Sequence, residues 1–232
     1  LGAGGNPRLG TPPCTDLAEF LERLKVSPRT VNMPLPPIMH GTGLLSAVGA
    51  MAGGGTCITL TSKSFEPELA LENITKHKIT QVTIVGDAFA RPMLEVLDEN
   101  SGKYDISSVG LINSSGVMWT REIKAGLLKH NENLLLSDAF SSSEAIGLGM
   151  SLMTKDQTID VAKFALGPNC KVFSENLKEV KPGTGESGMV AVKGFLPVGY
   201  YKDQQKTDKT FMVIDGVRYS IPGDWVRVED DG

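Results

Sequence analysis

The chain has 232 residues, enough to bury one large or two small hydrophobic cores. Its 23 Lys and Arg and 27 Asp and Glu give a formal net charge of -4, so composition gives no support for nucleic-acid binding. Cys14, Cys57 and Cys170 form no CxxC pair, and only three histidines accompany them, so a zinc site is not expected. No apolar run reaches the roughly 20 residues of a transmembrane segment. We expect a cytoplasmic protein, with peripheral attachment to a membrane as an alternative.

The first part of the chain predicts an irregular entry into the fold. Residues 1–14 are rich in Gly and Pro and predict a loop, and residues 15–25 predict an amphipathic helix. Three prolines within residues 34–43 predict another loop, because proline cannot donate a backbone hydrogen bond. A helix of small residues is expected at about 43–52.

The middle of the chain alternates short apolar segments with amphipathic ones. This rhythm predicts a mostly parallel sheet, flanked by helices, of the α/β class. Buried strands are expected at 56–60, 80–86, 108–116 and 133–140, and helices at 66–78, 87–99 and 120–130.

After about residue 153 the pattern changes to polar and apolar alternation between turn residues. This predicts a smaller antiparallel, β-rich and barrel-like region, with a hairpin at Asp215-Gly216. The expected organisation is therefore a loop and helix at 1–31, an α/β subdomain at 32–153, and a β-rich subdomain at 154–232.

Three loops follow the predicted parallel strands, where ligands of such sheets bind. They are Gly86-Asp87, Ser114 to Gly116, and Ser137 to Glu144. The third combines an aromatic ring, four hydroxyls and the carboxylate of Glu144, which suits a base, phosphates and Mg²⁺. A polar loop that caps the next element is the alternative. Neither a GxxxxGK[ST] loop nor a GxGxxG turn after a strand is found in the sequence.

Five segments in order resemble motifs of the adenylate-forming superfamily, which comprises acyl-CoA synthetases, luciferase-like ligases and peptide-synthetase adenylation domains. The resemblance runs from about Asn32 to the end of the chain. Two phrases, VGDAFARP and RYSIPGDW, are similar to actinobacterial fatty-acyl-CoA synthetases, including those that act on steroid side chains. The five segments are MPLPPIMHGTG, INSSGVMW, DAFSSSEA, the stretch from GTGESG to TDKTF, and RYSIPGDW.

The resemblance implies that the subdomain at 32–153 binds an acyl group and a nucleotide, and that the subdomain at 154–232 ends at a ribose-binding motif. It also implies roles for individual residues. Glu144 would hold Mg²⁺, and Asp224 would accept hydrogen bonds from the ribose hydroxyls of ATP or AMP. His40, with Gly41, would border the acyl group, and Gly147 the acyl tunnel. The nucleotide-binding residues would be Ser115, Gly116, Asp138, Ala139, Phe140, Ser141, Ser142, Ser143 and Asp224, with Phe140 stacked on adenine and Ser143 facing the phosphates.

Local composition leaves other interpretations open. His40 also fits a purely structural role, and Asp224 also fits a turn aspartate. Ser115, Met118 and Ser141 replace the Gly, Pro and Gly of the family motifs, so their side chains would crowd the nucleotide.

The expected reaction is ATP-dependent joining of a fatty or steroid acid to coenzyme A, an acid–thiol ligase activity. Alternatives are an acyl-AMP ligase that loads a carrier protein, an amino-acid adenylating domain, and a non-catalytic α/β binding module. The resemblance also implies that a phosphate loop, a hinge and a C-terminal domain lie outside these 232 residues. We therefore expect an internal fragment that does not adenylate alone and that self-associates through exposed apolar surface.

Overall fold

The computed structural model describes residues 28–157, 163–194 and 196–232. The helix predicted at 15–25 and the loop at 1–14 lie outside these ranges. The described residues form two compact units. The parallel-sheet unit comprises 28–139, 151–157 and Lys163, and the antiparallel-sheet unit comprises 140–150, 164–194 and 196–232.

The parallel-sheet unit is built on five strands that pair in parallel in the order β2-β1-β3-β4-β5. The strands are β1 (Val31–Pro34), β2 (Thr56–Cys57), β3 (Gln81–Ile84), β4 (Leu111–Ser115) and β5 (Leu135–Phe140). Four helices alternate with them: α1 (Gly41–Ala52), α2 (Pro67–His77), α3 (Asp87–Glu99) and α4 (Arg121–His130).

One hydrophobic core explains why these segments fold this way. Apolar side chains of the central strands pack against the apolar faces of the helices, and burial of each large side chain contributes about 1.5–3 kcal/mol. Residues at the helix ends are typical of their positions. Pro67 begins α2, and the basic residues Lys129 and His130 lie in the last turn of α4, near the negative end of its dipole. The fully buried members include Met33, Leu71, Ile74, Val82, Ile84, Trp119, Leu127 and Leu136.

Two strand predictions need correction. The buried strand predicted at 56–60 is only the two-residue β2, which lies at the edge of the sheet and is partly exposed. The strand β1 was not predicted, yet it lies between β2 and β3. Prolines at 34, 36 and 37 indicated a loop, but Pro34 is the last residue of β1, where the missing N–H affects only the end of the ladder.

The antiparallel-sheet unit contains β8 (Cys170–Phe173), β9 (Ser187–Lys193), β10 (Phe211–Ile214), β11 (Val217–Ser220), β12 (Trp225–Arg227) and helix α5 (Gln204–Thr210). Strand β10 pairs with β11. Strands β11 and β12 pair with successive parts of one edge of β9, and β8 pairs with the opposite edge of β9. A further pair joins Gly149 and Met150 of β6 (Gly149–Met153) to β7 (Ala165–Leu166).

The predicted hairpin is confirmed, because Asp215 and Gly216 both have positive φ, 50° and 77°, between β10 and β11. The mostly parallel sheet flanked by helices, followed by an antiparallel β region, is thus the fold class that the sequence predicts. The sequence pattern predicts neither helix α5 nor strand β12. Helix α5 has no apolar face to reveal it, because it is polar on nearly every side.

In the described ranges, no helix is long and apolar enough to cross a membrane. Val198 and Tyr201 are 94% and 88% exposed, so apolar surface is available, and self-association stays a prediction.

Candidate functional site

The carboxyl edge of the parallel sheet brings several predicted residues together. Ser115, the last residue of β4, pairs with Ala139 of β5. Gly116 follows with a φ of 103°, and a Cβ added there would lie 3.8 Å from Cε1 of His40. The residues predicted to line adenine and the residue predicted to border the acyl group are therefore neighbours within the parallel-sheet unit.

His40 has a structural role as well as this position. Its Nδ1 accepts a hydrogen bond of 3.2 Å from the backbone N–H of Thr42, so it caps the N-terminus of α1. The side chain is exposed, and Gly41 next to it has open space around its Cα. The cap fixes the ring and leaves Nε2 available for contact with a ligand.

Asp138 differs from the other predicted nucleotide residues, because its side chain is buried. Its Oδ2 lies 3.2 Å from Nζ of Lys124, which is also buried and lies 5.1 Å from the ring centroid of Trp119. Burial raises the pKa of Asp138 above its ordinary value, although Lys124 opposes the shift. The carboxylate of Asp138 is thus committed to Lys124, and any nucleotide contact from this residue would come from its backbone.

The segment that follows β5 is held in shape by its own hydrogen bonds. Ser141 Oγ accepts from the backbone N–H of Gly147, and Ser142 and Ala145 exchange backbone hydrogen bonds of 3.0 and 3.2 Å. Gly147 has a φ of 81°, which favours glycine. Ser141, which replaces a glycine of the family motif, is therefore part of the loop's internal structure, whereas Ser143 is exposed.

Phe140 is half-buried at the start of this loop. Its ring packs against Phe164 with centroids 5.4 Å apart and planes inclined by 37°. Phe140 also joins an apolar cluster formed by Ala145, Leu148, Val190 and Val192. Part of the aromatic surface predicted to stack on adenine is thus covered by Phe164.

Glu144 is held by a residue far away in the sequence. The hydroxyl of Tyr200 donates a hydrogen bond of 2.6 Å to Oε1 of Glu144. This bond is the main cause that lowers the pKa of Glu144 below its ordinary value, and the nearby charge of Lys206 acts in the same direction. Glu144 is therefore ionised at neutral pH, and its carboxylate keeps acceptor capacity for another ligand.

Asp224 lies on a bulge between two strands that share one partner. Ser220 of β11 pairs with Val192 of β9, and Trp225 of β12 pairs with Met189. Four residues, 221–224, thus lie opposite two, 190–191, so this side of the pairing contains two extra residues.

The side chain of Asp224 has no partner among the described residues. The backbone carbonyl of Asp224 accepts a 3.0 Å hydrogen bond from Val190, which anchors the bulge. The side chain is exposed, and within the described part of the chain it makes neither a hydrogen bond nor an ion pair. Two free acceptor oxygens on an anchored backbone are suited to a pair of hydroxyl donors.

Residues close in the chain to Glu144 and Asp224 pack in the same apolar cluster. Ala145, which follows Glu144, packs with Val190 and Val192, and Val226 of β12 packs against the same residues. Neither Glu144 nor Asp224 forms an ion pair with another described residue. The hypothesis that the two carboxylates serve one ligand is therefore compatible with their local environments.

A magnesium ion at Glu144 would need ligands other than a cluster of described His, Cys, Asp and Glu side chains. Among the described residues, no group of three or more His, Cys, Asp or Glu side chains could hold a metal ion. Magnesium commonly takes one or two carboxylates together with substrate phosphates, so one oriented carboxylate is sufficient. Glu144 would supply this oxygen, and a nucleotide would supply others.

Two residues of this site were not found by sequence reasoning. Tyr200 lies within the stretch from GTGESG to TDKTF, and sequence reasoning gives it no role. Lys206 lies in α5, which lacks an apolar face. The signal that could have revealed α5 is Asp203, because an aspartate before a helix commonly accepts from its first turn, as it does here from Lys206 N.

Known proteins share the sequence pattern of this chain. A family model described as AMP-binding enzyme matches residues 14–201. A medium/long-chain-fatty-acid–CoA/3-oxocholest-4-en-26-oate–CoA ligase of Mycolicibacterium smegmatis is 35% identical over 233 residues, which cover 99% of this chain and 42% of that protein. A 3-oxocholest-4-en-26-oate–CoA ligase of Rhodococcus rhodochrous is 35% identical over 216 residues, covering 89% of this chain and 38% of that protein.

A solved structure shares the fold. A long-chain-fatty-acid–CoA ligase from Archaeoglobus fulgidus superposes with a TM-score of 0.73 at 19% identity, covering 93% of this chain and 46% of that one. The chain spans about two fifths of the length of the curated relatives described above.

Proposed function

Because the chain belongs to the AMP-binding enzyme family, we propose that it is part of an ATP-dependent acyl-CoA ligase. The substrate would be a fatty acid or a steroid side-chain acid, and the acceptor would be coenzyme A. The names of the two bacterial relatives support this substrate class and acceptor, since both proteins are named as CoA ligases of such acids. They favour coenzyme A over a carrier protein as the acceptor.

The proposed reaction has two steps. The carboxylate of the acid attacks the α-phosphate of ATP, which releases pyrophosphate and gives an acyl-AMP. The sulfur of coenzyme A then attacks the acyl carbon, and AMP leaves. Magnesium would supply positive charge that stabilises the phosphate oxygens.

Each predicted residue has a place in this proposal. Asp224 would accept hydrogen bonds from the ribose hydroxyls, and Glu144 would ligate magnesium. Phe140 would contact adenine with the part of its ring that Phe164 leaves uncovered. The remaining contacts would be Ser115, Gly116, Asp138 and Ala139 through their backbones beside the adenine, Ser141, Ser142 and Ser143 on the phosphate side, and His40, Gly41 and Gly147 beside the acyl group.

The observation that carries the proposal is the exposed carboxylate of Asp224, which has no hydrogen-bond or ion-pair partner among the described residues. We expect Asp224→Asn to weaken AMP binding at least tenfold, because hydrogen bonds to a charged acceptor contribute about 1.5–3 kcal/mol. Isothermal titration calorimetry with AMP measures this. Asp215→Asn is the matched control, since Asp215 lies on a turn of the same sheet and asparagine tolerates its φ of 50°. Equal AMP affinity in wild type and Asp224→Asn would contradict the proposal.

A further inference from the structure

The antiparallel-sheet unit joins the loop that carries Glu144 to helix α5 through one side chain. The hydroxyl of Tyr200 donates to Oε1 of Glu144 at 2.6 Å, although the two residues are 56 positions apart in the chain. A hydrogen bond from a hydroxyl to an ionised carboxylate is short and strong, and it restricts the rotation of the carboxylate. The orientation of Glu144 therefore depends on the position of Tyr200.

Tyr200 is itself fixed by the first turn of α5. Its backbone N–H donates a 2.9 Å hydrogen bond to Thr207 Oγ1. The hydroxyl of Thr207 in turn donates a 2.7 Å hydrogen bond to the carbonyl of Asp203. Nζ of Lys206 lies 4.0 Å from the centroid of the Tyr200 ring. A Cβ at Gly199 would lie 2.6 Å from Thr207 Cγ2, so the chain approaches α5 as closely as glycine permits.

From these contacts we propose that Tyr200 is a positioning residue for Glu144, which it orients for a magnesium–nucleotide complex. This proposal rests on the proposed function, because it assigns the metal to Glu144. Tyr200 touches neither metal nor nucleotide in this scheme. It holds Oε1 of the carboxylate and so restricts the orientations in which Oε2 would meet the ligand.

Two opposite effects follow from removal of the Tyr200 hydroxyl. Loss of the donor leaves a more negative carboxylate, which would bind a cation more tightly. Loss of the orientation makes binding weaker, because the free carboxylate must then be ordered by the metal. Residues that orient metal ligands typically contribute 10–100-fold to metal affinity, so we expect the loss of orientation to dominate.

The test compares Tyr200→Phe with Tyr201→Phe. Tyr200→Phe keeps the ring that lies beneath Lys206 and beside Phe211, 6.1 Å away, and it removes only the hydroxyl. Tyr201 is 88% exposed and provides a matched control with the same chemical change one residue later. Calorimetry measures two affinities for each variant, one for AMP without metal and one for ATP with excess Mg²⁺.

We expect Tyr200→Phe to bind AMP like wild type and to bind Mg²⁺–ATP about tenfold more weakly. Tyr201→Phe should match wild type for both ligands. The double variant Tyr200→Phe with Glu144→Gln should bind Mg²⁺–ATP no more weakly than Glu144→Gln alone, because both changes remove the same interaction.

The outcomes separate this inference from the function on which it rests. Unchanged or tighter Mg²⁺–ATP binding by Tyr200→Phe, with normal AMP binding, overturns the positioning role alone. Independent losses that add in the double variant also overturn it. Absence of AMP and Mg²⁺–ATP binding in wild type overturns the nucleotide role of the site, and the inference about Tyr200 with it. Urea unfolding of each variant shows whether it is folded.

Discussion

The buried ion pair of Lys124 and Asp138 allows the most quantitative prediction. The perturbation is Lys124→Met, which keeps an unbranched apolar side chain near Trp119 but removes the charge. At the observed 3.2 Å and an effective dielectric constant of 20, the attraction is about 5 kcal/mol. Desolvation of two buried ions costs several kcal/mol each, so the intact pair contributes little net stability. Removal of one partner leaves an uncompensated buried carboxylate, and we expect a loss of about 3 kcal/mol at pH 7.5.

This loss should depend on pH in one direction. Burial already raises the pKa of Asp138 above its unfolded value of about 3.9, and loss of Lys124 raises it further. A carboxyl with a raised folded-state pKa binds its proton more tightly in the folded protein, so stability falls as pH rises from the unfolded pKa through the folded one. In Lys124→Met this fall extends closer to neutral pH. The destabilisation should therefore be smaller at pH 5 than at pH 7.5.

Urea unfolding followed by tryptophan fluorescence measures the effect, since Trp119 is fully buried beside the pair. Lys124→Met with Asp138→Asn should recover part of the stability, because the unpaired charge is removed. The control is Lys78→Met, which breaks the exposed ion pair of Lys78 with Asp105 and should change stability only slightly. A loss below about 1 kcal/mol at pH 7.5, or a loss that does not decrease at pH 5, would refute the reasoning.

Two further predictions concern the two units separately. Gly86 has a φ of 54°, and a Cβ there would lie 2.5 Å from the carbonyl oxygen of Met118. Gly86→Ala should therefore destabilise the chain by at least about 2 kcal/mol in urea unfolding. Gly102→Ala, at a φ of 80° in open space, should cost only about 1 kcal/mol, and equal losses would contradict the steric argument. Burial raises the pKa of Cys170 to about 12, so its thiol should resist alkylation at pH 8 in the folded chain and react after denaturation, as peptide mapping would show. Rapid labelling of the native chain at Cys170 would count against its burial.

The sequence predicted elements where the local pattern and the tertiary environment agree. Helix α3 (Asp87–Glu99) is found at the bounds expected from its apolar periodicity. The hairpin at Asp215-Gly216 follows from the backbone freedom of that pair. Strand β1 is missed because the prolines near it predict a loop. Proline content shows only that each such residue cannot donate a backbone hydrogen bond. Whether its missing N–H matters depends on its place in the ladder, and this place is a tertiary property.

The site shows the same division. The motifs identified the segments that carry Glu144 and Asp224, because their residue types and order are local properties. The hydrogen bond from Tyr200 to Glu144 and the pair of Lys124 with Asp138 join distant parts of the chain, and no spacing rule indicates them. Asp138 illustrates the limit, since the resemblance to a family motif made it a nucleotide-binding candidate, whereas burial commits its carboxylate to Lys124.

The bulge at residues 221–224 has a consequence for how this protein can change in evolution. Its excess over β9 is two residues, an even number, so losing both would preserve the alternation of side chains on either side of it. Such a deletion would merge β11 and β12 into one continuous strand with little disturbance to the core. Where Asp224 is one of the two residues lost, the strand pairing would be kept and the exposed carboxylate would be removed. Length variation at this one turn is therefore a route by which a protein of this architecture could keep its shape and abandon its ligand.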